Sequence, residues 1–147
     1  MNIYTDGACK GNPGPAGYGC AFYDQDMLIL AMYGYIGKST NNIAEYSAIK
    51  FALQEAIRRN YLSVIIYSDS NLAVQQLNGK WKVKNKNIQQ IFAEVKALLD
   101  KLDKWQIKHV KAHCGIEGNE KADELANTAI ETKGSDINDA YIWKDDI

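Results

Sequence analysis

Val64-Ile65-Ile66-Tyr67-Ser68-Asp69 is the stretch on which the fold turns. Four consecutive β-branched or aromatic residues, ended by two polar ones, are too short a run for a helix. They predict a central strand buried on both faces. On one side of it, residues 42–59 carry Ile49, Ala52, Leu53, Ala56 and Ile57 at helical spacing, preceded by the N-cap candidates Thr40, Asn41 and Asn42. On the other side, residues 71–77 predict a short helix closed by Asn78-Gly79. An apolar strand between two helices implies a parallel crossover, so it lies beside another strand of the same sense. Asp69 then stands at the C-terminal end of a parallel strand, where α/β sheets place their sites.

Residues 1–6 supply the partner strand, with Ile3 and Thr5 alternating against Tyr4 and Asp6. Residues 7–19 hold both prolines and five of the eleven glycines, which predicts a loop. Two more strands follow at 19–23 and 28–35, joined by a turn at Asp24-Gln25-Asp26, so the first three strands form an antiparallel meander. Residues 85–102 form a strongly amphipathic helix through Ile88, Ile91, Phe92, Val95, Leu98, Leu99 and Leu102. A strand at 105–110, a glycine-containing loop at 113–118 and a helix at 119–130, apolar along Ala122, Leu125, Ala126, Ala129 and Ile130, complete the pattern. The expected fold is α/β: a five-stranded mixed sheet, antiparallel then parallel, flanked by helices. One domain spans 1–130. Residues 131–147 are expected to be a polar tail, with Tyr141, Ile142 and Trp143 docking against the body.

The 147 residues are 46% hydrophobic and 24% charged, which excludes a disordered chain, a fibre and a coiled coil. The longest apolar stretch, 27–32, is too short to span a bilayer, and residues 1–6 lack the pattern of a signal peptide. Cys9, Cys20 and Cys114 are too scattered for a disulfide framework or a zinc site, and predict buried thiols in a reducing, cytoplasmic compartment. The net charge is −1, but it is unevenly spread. Residues 80–111 carry nine lysines against Glu94, Asp100 and Asp103, while residues 131–147 carry five acids and two lysines. A basic segment is a candidate phosphate-facing surface, although a solvated helix face has the same composition.

Four acids stand where solvated acids are not expected. Asp6 ends the first strand, where an Asp-Gly turn is the simplest explanation, and Asp69 ends the apolar strand, where it suits a helix N-cap. Glu45 precedes Ile49 by four residues and Ala52 by seven, so it lies on the face turned toward the sheet. The helix dipole explains its place near the N-terminus but not its inward face. Asp123 flanks the buried stripe of the last helix in the same way. Carboxylates gathered at one sheet end would repel and hold protons, and a cation resolves this. Hard oxygen donors without a His or Cys cluster favour Mg²⁺, Mn²⁺ or Ca²⁺ over zinc, and several carboxylates around two such ions make a phosphoryl-transfer site.

Longer motifs carry a family likeness. Tyr4-Thr5-Asp6-Gly7-Ala8-Cys9 with Gly11-Asn12-Pro13-Gly14 resembles the opening of ribonuclease H, type 1, and Thr40-Asn41-Asn42-Ile43-Ala44-Glu45-Tyr46 resembles its first long helix. Tyr67-Ser68-Asp69-Ser70 resembles its strand-end aspartate, and the run from His113-Cys114-Gly115 to Lys121-Ala122-Asp123-Glu124-Leu125-Ala126 its histidine loop and final helix. The motifs keep the family's order and cover roughly residues 1–130.

The resemblance implies an endoribonuclease that cuts the RNA strand of RNA–DNA hybrids, leaving 5′-phosphate and 3′-hydroxyl ends. Asp6, Glu45, Asp69 and Asp123 are then catalytic ligands of two Mg²⁺ ions, with Mn²⁺ as a substitute: one ion generates the attacking hydroxide, the other stabilises the leaving 3′ oxygen. His113 matches the loop histidine that moves protons or aids product release, on a loop hinged at Gly115 and Gly118. His109 is structural or surface. Gly7, Cys9 and Asn12 match positions at the RNA strand. Asn41, Asn42 and Asn71 match positions that bind nucleotides across the minor groove, and Ser70 adjoins them. Thr40 and Asn85 remain for a phosphate pocket, since position 43 is Ile where some members place an arginine. The family's basic protrusion has no room between Gly79 and Ile88, so the chain resembles the compact form. Lys80, Lys82, Lys84 and Lys86 are placed to replace that charge, with Trp81 either facing a sugar or buried in the core. Expected partners are a hybrid duplex, no membrane and no obligatory protein, with the chain a monomer. The rivals are a non-catalytic binding module on the same fold and an integrase-like or exonuclease-like enzyme. GxxxxGK[ST] and GxGxxG spacings are absent, which disfavours a nucleotide-binding enzyme.

Overall fold

The computed structural model describes residues 1–139. Its strands are β1 (Asn2–Cys9), β2 (Gly14–Asp24), β3 (Met27–Ser39), β4 (Ser63–Ser68), β5 (Lys104–His109) and β6 (Ser135–Asp139). Its helices are α1 (Asn41–Arg58), α2 (Asn71–Leu77), α3 (Lys86–Leu99) and α4 (Glu117–Thr132). The strands form one sheet in the order β5-β4-β1-β2-β3-β6. β1, β2 and β3 are an antiparallel meander, and β4 and β5 add to it in parallel through crossovers.

The two sheet faces are built differently. Ile3, Val64, Ile66 and Ile107 pack with Tyr46, Ile49 and Leu53 of α1 and with Ile88, Ile91, Val95 and Leu99 of α3 in the main core. Each fully buried Ile or Leu there contributes about 1.5–3 kcal/mol. On the opposite face α4 lies across β1, β2 and β3 around Ala21, Tyr23, Ala31 and Leu125. β4 is therefore not buried on both faces as its composition predicts. Val64, Ile66 and Ser68 are buried, while Ile65 and Tyr67 are only half-buried on the other face, where α4 packs chiefly on β1, β2 and β3.

The glycine-rich stretch is mostly strand, not loop. Gly7 to Cys9 pair with Tyr18 to Ala16, leaving only residues 10–13 between β1 and β2. These glycines serve close approach. A Cβ on Gly7 would fall inside the Ala44–Glu45 backbone of α1, and one on Gly19 would overlap the Ala122 carbonyl of α4. Both helices thus rest on the sheet through bare backbone. The β2–β3 turn is Gln25-Asp26, both at positive φ (49° and 64°), which suits the twist of a two-residue hairpin.

The sheet has a sixth strand where a tail is expected from residue 131. α4 runs on to Thr132, Lys133 ends it in the left-handed region (φ 51°), and β6 then pairs antiparallel with Leu30–Gly34 of β3. Ser-Asp-Ile-Asn-Asp has no apolar alternation to betray a strand, and its one large apolar side chain, Ile137, is exposed. Backbone pairing and an ion pair between Arg59 and Asp139 (3.1 Å) hold it. Tyr141, Ile142 and Trp143, expected to dock, lie outside the described residues. No helix among the described residues is long and apolar enough to cross a membrane.

Candidate active site

Register brings the two strand-end aspartates together. Thr5 pairs with Ser68 across the parallel β1–β4 ladder, so the next residue on each chain, Asp6 and Asp69, lies at the same sheet end. α1 starts against that end. Thr40 caps it by accepting from the Ile43 N–H (3.3 Å), and the bare Gly7 lets the first turn reach the β1 backbone. The Gly7 N–H donates to Glu45 Oε1, fixing the carboxylate beside Asp6. Asp6, Glu45 and Asp69 offer oxygens that all lie within 4.8 Å of one another. Asp123 stands at the margin. It is not one of those three, yet its carboxylate adds to the upward shift of the Asp6 pKa. Asn127, one turn further along α4, donates to both the carbonyl (2.9 Å) and the carboxylate (3.3 Å) of Asp123.

The cluster is electrostatically incomplete. Burial, then the Asp69 charge, push Asp6 up to about 8. Burial, then Asp6 and Asp69, hold Glu45 well above the usual carboxylate range. No lysine or arginine is among the causes acting on either group. At neutral pH such a set keeps protons or takes a cation. An all-carboxylate set of this spacing fits a hard divalent ion of the Mg²⁺ or Mn²⁺ type.

The other expected residues divide into three groups. Asn12, Thr40, Asn42 and Asn85 line one cleft of about 270 Å³ between the β1–β2 loop and the starts of α1 and α3. Asn12 Oδ1 accepts from the Asn41 N–H (3.1 Å), and Asn85 caps α3 through the N–H groups of Asn87 (2.8 Å) and Ile88 (3.2 Å). Ser70 caps α2 beside Asp69, and the exposed Asn71 accepts from Gln75. Cys9 turns its thiol inward, toward the carbonyls of Gly11 (2.6 Å) and Ser39 (3.2 Å).

His113 is exposed on the loop between β5 and α4, at φ 56°. Gly115 is also left-handed (φ 80°), with open space around it. Gly118 is no hinge: it is the second residue of α4, buried against the Tyr4 ring. His109 is exposed at the end of β5. Of the three free cysteines only Cys20 is a buried thiol, and Cys114 is exposed. Trp81 is 47% exposed, which removes it from the core. Lys80, Lys82, Lys84 and Lys86 are all exposed, and none forms an ion pair among the described residues.

Two supporting residues escape sequence reasoning. Buried Gln76 accepts from the Tyr46 hydroxyl (2.5 Å), next to Glu45, and donates to the Lys82 carbonyl (3.4 Å). It joins α1 to the lysine-rich connection. Asn127 could have been found from its i+4 spacing to Asp123. Gln76 left no such signal, since its partner in α1, Tyr46, is thirty residues away.

A mixed sheet that gathers carboxylates from parallel strand ends and two helices defines an α/β protein built to hold hard cations. The RNase H family model matches residues 1–131. A ribonuclease H of Francisella tularensis subsp. novicida is 40% identical over 137 residues, covering 86% of this chain and 88% of its own. Ribonuclease HI of Halobacterium salinarum is 37% identical over 132 residues, covering 89% and 64%. The crystal structure of RNase H1 from that archaeon superposes with TM-score 0.83 at 35% identity, covering 89% of this chain and 97% of that one. LC11-RNase H1, solved in complex with an RNA/DNA hybrid, superposes at 0.81 and 35%, covering 90% and 97%. The chain spans about a third (35%) of the length of the mycobacterial bifunctional protein Rv2228c, which it also matches. The chain belongs to the RNase H family, in its type 1 branch.

Proposed function

We propose that this protein hydrolyses the RNA strand of RNA–DNA hybrids endonucleolytically, leaving 5′-phosphate and 3′-hydroxyl ends. The observation that carries this reading is the convergence of Asp6, Glu45 and Asp69 within 4.8 Å, with Asp6 pushed up to about 8. Asp6, Glu45, Asp69 and Asp123 would hold two Mg²⁺ ions, which supply Lewis-acid activation of water and charge stabilisation at the departing 3′ oxygen. Mn²⁺ substitutes for Mg²⁺. The chain's own groups do the rest. The Gly7 N–H keeps Glu45 turned toward Asp6, and Asn127 orients Asp123. His113 handles a proton or helps product leave from its exposed loop.

Gly7, Cys9 and Asn12 meet the RNA strand, where the 2′-hydroxyl separates it from DNA. Asn41, Asn42, Ser70 and Asn71 reach across the minor groove, and Thr40 with Asn85 takes a backbone phosphate in the 270 Å³ cleft. The exposed lysines from Lys80 to Lys86 supply sequence-independent attraction, so affinity falls steeply with salt. The protein acts as a cytoplasmic monomer through residues 1–130, without an obligatory protein partner. A binding module that kept only the fold is the alternative, but clustered carboxylates facing phosphates give a binder no advantage.

The test uses a labelled RNA–DNA duplex with Mg²⁺, beside RNA–RNA and DNA–DNA duplexes, with and without EDTA. Cutting confined to RNA in the hybrid, and abolished by EDTA, is the expected result. Binding without cutting in Mg²⁺ or Mn²⁺ would favour the binding module.

A further inference from the structure

Beneath the two strand-end aspartates lies a layer of tyrosines. Tyr4 pairs with Tyr67 in the β1–β4 ladder, and two residues further along each strand come Asp6 and Asp69. Side chains two apart share a face, so the tyrosine pair sits one layer below the aspartate pair. The two rings stack with centroids 4.6 Å apart and planes inclined by 14°. Tyr23 meets Tyr4 edge-on at 5.7 Å and 86°. Tyr4 and Tyr23 pack with Leu125 on the α4 face, and Tyr67 joins them by stacking on Tyr4.

The first turn of α4 sits on this layer. Gly118 lies so close to Tyr4 that a Cβ there would overlap Cγ, Cδ1 and Cε1 of the ring. The neighbouring Glu117 lines one cleft with Tyr4, Tyr23 and Gly118, and burial together with the Glu117 carboxylate pushes the Tyr23 phenol up. The turn has no side-chain cap, because its N-cap is Ile116, and it packs instead against the Tyr4 ring. His113 is only three residues before Ile116. Further along α4, Asp123 is secured separately, by the contact of Gly19 with Ala122 and by Asn127. A disturbance at Gly118 is therefore felt first at the His113 loop.

We propose that Tyr4, Tyr67 and Tyr23 form a platform that seats the Glu117–Gly118 turn and thereby sets where the His113 loop stands relative to the carboxylates. Tyr4 and Gly118 are positioning residues for cleavage, acting through His113. This rests on the role given to His113 above. No other feature of the turn requires glycine: its φ is not left-handed, and alanine is the better helix former. Without the ring beneath it, Gly118→Ala would cost nothing.

The test measures kcat and KM for hybrid cleavage in the full-length chain, with thermal melts as a check on folding. The variants are Gly118→Ala, Tyr4→Ala, His113→Ala and the doubles that combine Gly118→Ala with each of the others. Gly118→Ala is expected to lower kcat about tenfold or more with KM nearly unchanged, as a displaced group does. It should add no further loss to His113→Ala, and should cost nothing in the Tyr4→Ala background. Wild-type kcat in Gly118→Ala beside an impaired His113→Ala overturns this inference alone. So does an undiminished cost of Gly118→Ala in the His113→Ala background. Wild-type kcat in His113→Ala overturns the His113 reading and this inference with it. Should Gly118→Ala fail to fold, Tyr23→Phe keeps the ring and removes only the hydroxyl on the cleft it shares with Glu117. It is expected to lower kcat about threefold in wild type and not at all in His113→Ala. Unchanged kcat in Tyr23→Phe overturns the proposal.

Discussion

Glu45 and Glu55 belong to the same helix and titrate in opposite directions. Glu45 is held above the ordinary carboxylate range by burial and by Asp6 and Asp69. Glu55 is held below it, chiefly by the Arg58 guanidinium that hydrogen-bonds it, with Arg59 adding to the effect against burial. The helix dipole alone predicts the reverse order, because Glu45 lies in the favourable first turns of α1 and Glu55 in the unfavourable last. Local charge overrides it. At one end of α1 the protein supplies its own cations: Arg58 Nε to both Glu55 oxygens at 3.0 Å and Arg59 Nε at 2.8 Å. At the other it gathers three acids, and no lysine or arginine of the described residues offsets Asp6 or Glu45. A carboxylate with a built-in partner holds structure together, whereas a set without one is arranged for something that arrives from solution.

The most severe way to break this contrast is Asp69→Asn, which removes charge at nearly constant shape. Hybrid cleavage should fall by at least about a thousandfold, while the circular dichroism spectrum stays that of the wild type. Cleavage close to the wild-type rate would mean that the acids at the sheet end are not the working site.

The second test reads stability without metal. Asp6 is raised from 3.8 to about 8 on folding, so between those values the native state binds more protons than the unfolded chain. Stability of the metal-free protein must then fall as pH rises from about 4 to about 8. Melts in EDTA across that range should show the decline, with each kcal/mol worth about 2–4 °C. Mg²⁺ should reverse it at pH 8, and Asp6→Asn should flatten it. A melting temperature that rises with pH over the window in EDTA would contradict the raised Asp6.

Glu55→Gln sharpens the contrast from the other end. A carboxylate whose pKa is lowered on folding contributes stability above its unfolded value, which is lost as pH falls below about 4. At pH 7 the variant should lose about 1–2 kcal/mol, allowing for the exposure of Arg58. Glu45→Gln in EDTA should lose none of this, because it relieves repulsion. Paired denaturant titrations decide the matter. Two losses of equal size would show that both glutamates are structural.

Much of this was legible in the chain. The Val64–Tyr67 run, flanked by two helical patterns, fixed the parallel crossover, and with it the place of Asp69 beside Asp6. The inward phase of Glu45 was readable from its spacing to Ile49 and Ala52. Other features were hidden for physical reasons. Gly7, Gly17 and Gly19 look like loop punctuation, because their real use is contact with helices distant in sequence. β6 carries no apolar alternation, since an edge strand over β3 is held by its backbone and one ion pair. Gln76 gives no hint of its partner in α1, because Tyr46 is thirty residues earlier in the chain. Gly118 gives no hint that it faces an aromatic ring, because the ring is more than a hundred residues earlier in the chain.

The smallest effect is expected at Asp139. Its bond to Arg59 spans a partly exposed pair, with side chains 20% and 36% accessible, so Asp139→Asn should cost only about 0.2–1 kcal/mol. Arg59 keeps Glu55 as a partner at 2.8 Å, so no buried charge is stranded. The cost should shrink in high salt, because screening weakens such a pair. Hydrogen exchange localises the effect: amides in residues 135–139 should exchange faster, while those of α1 and β4 keep wild-type protection. Cleavage should stay at the wild-type rate, since β6 is at the opposite edge of β3 from β2 and takes no part in the carboxylate cluster. Lost activity in Asp139→Asn, with β1 and β4 still protected, would tie the two ends of α1 together and undo their separation into a structural and a working half.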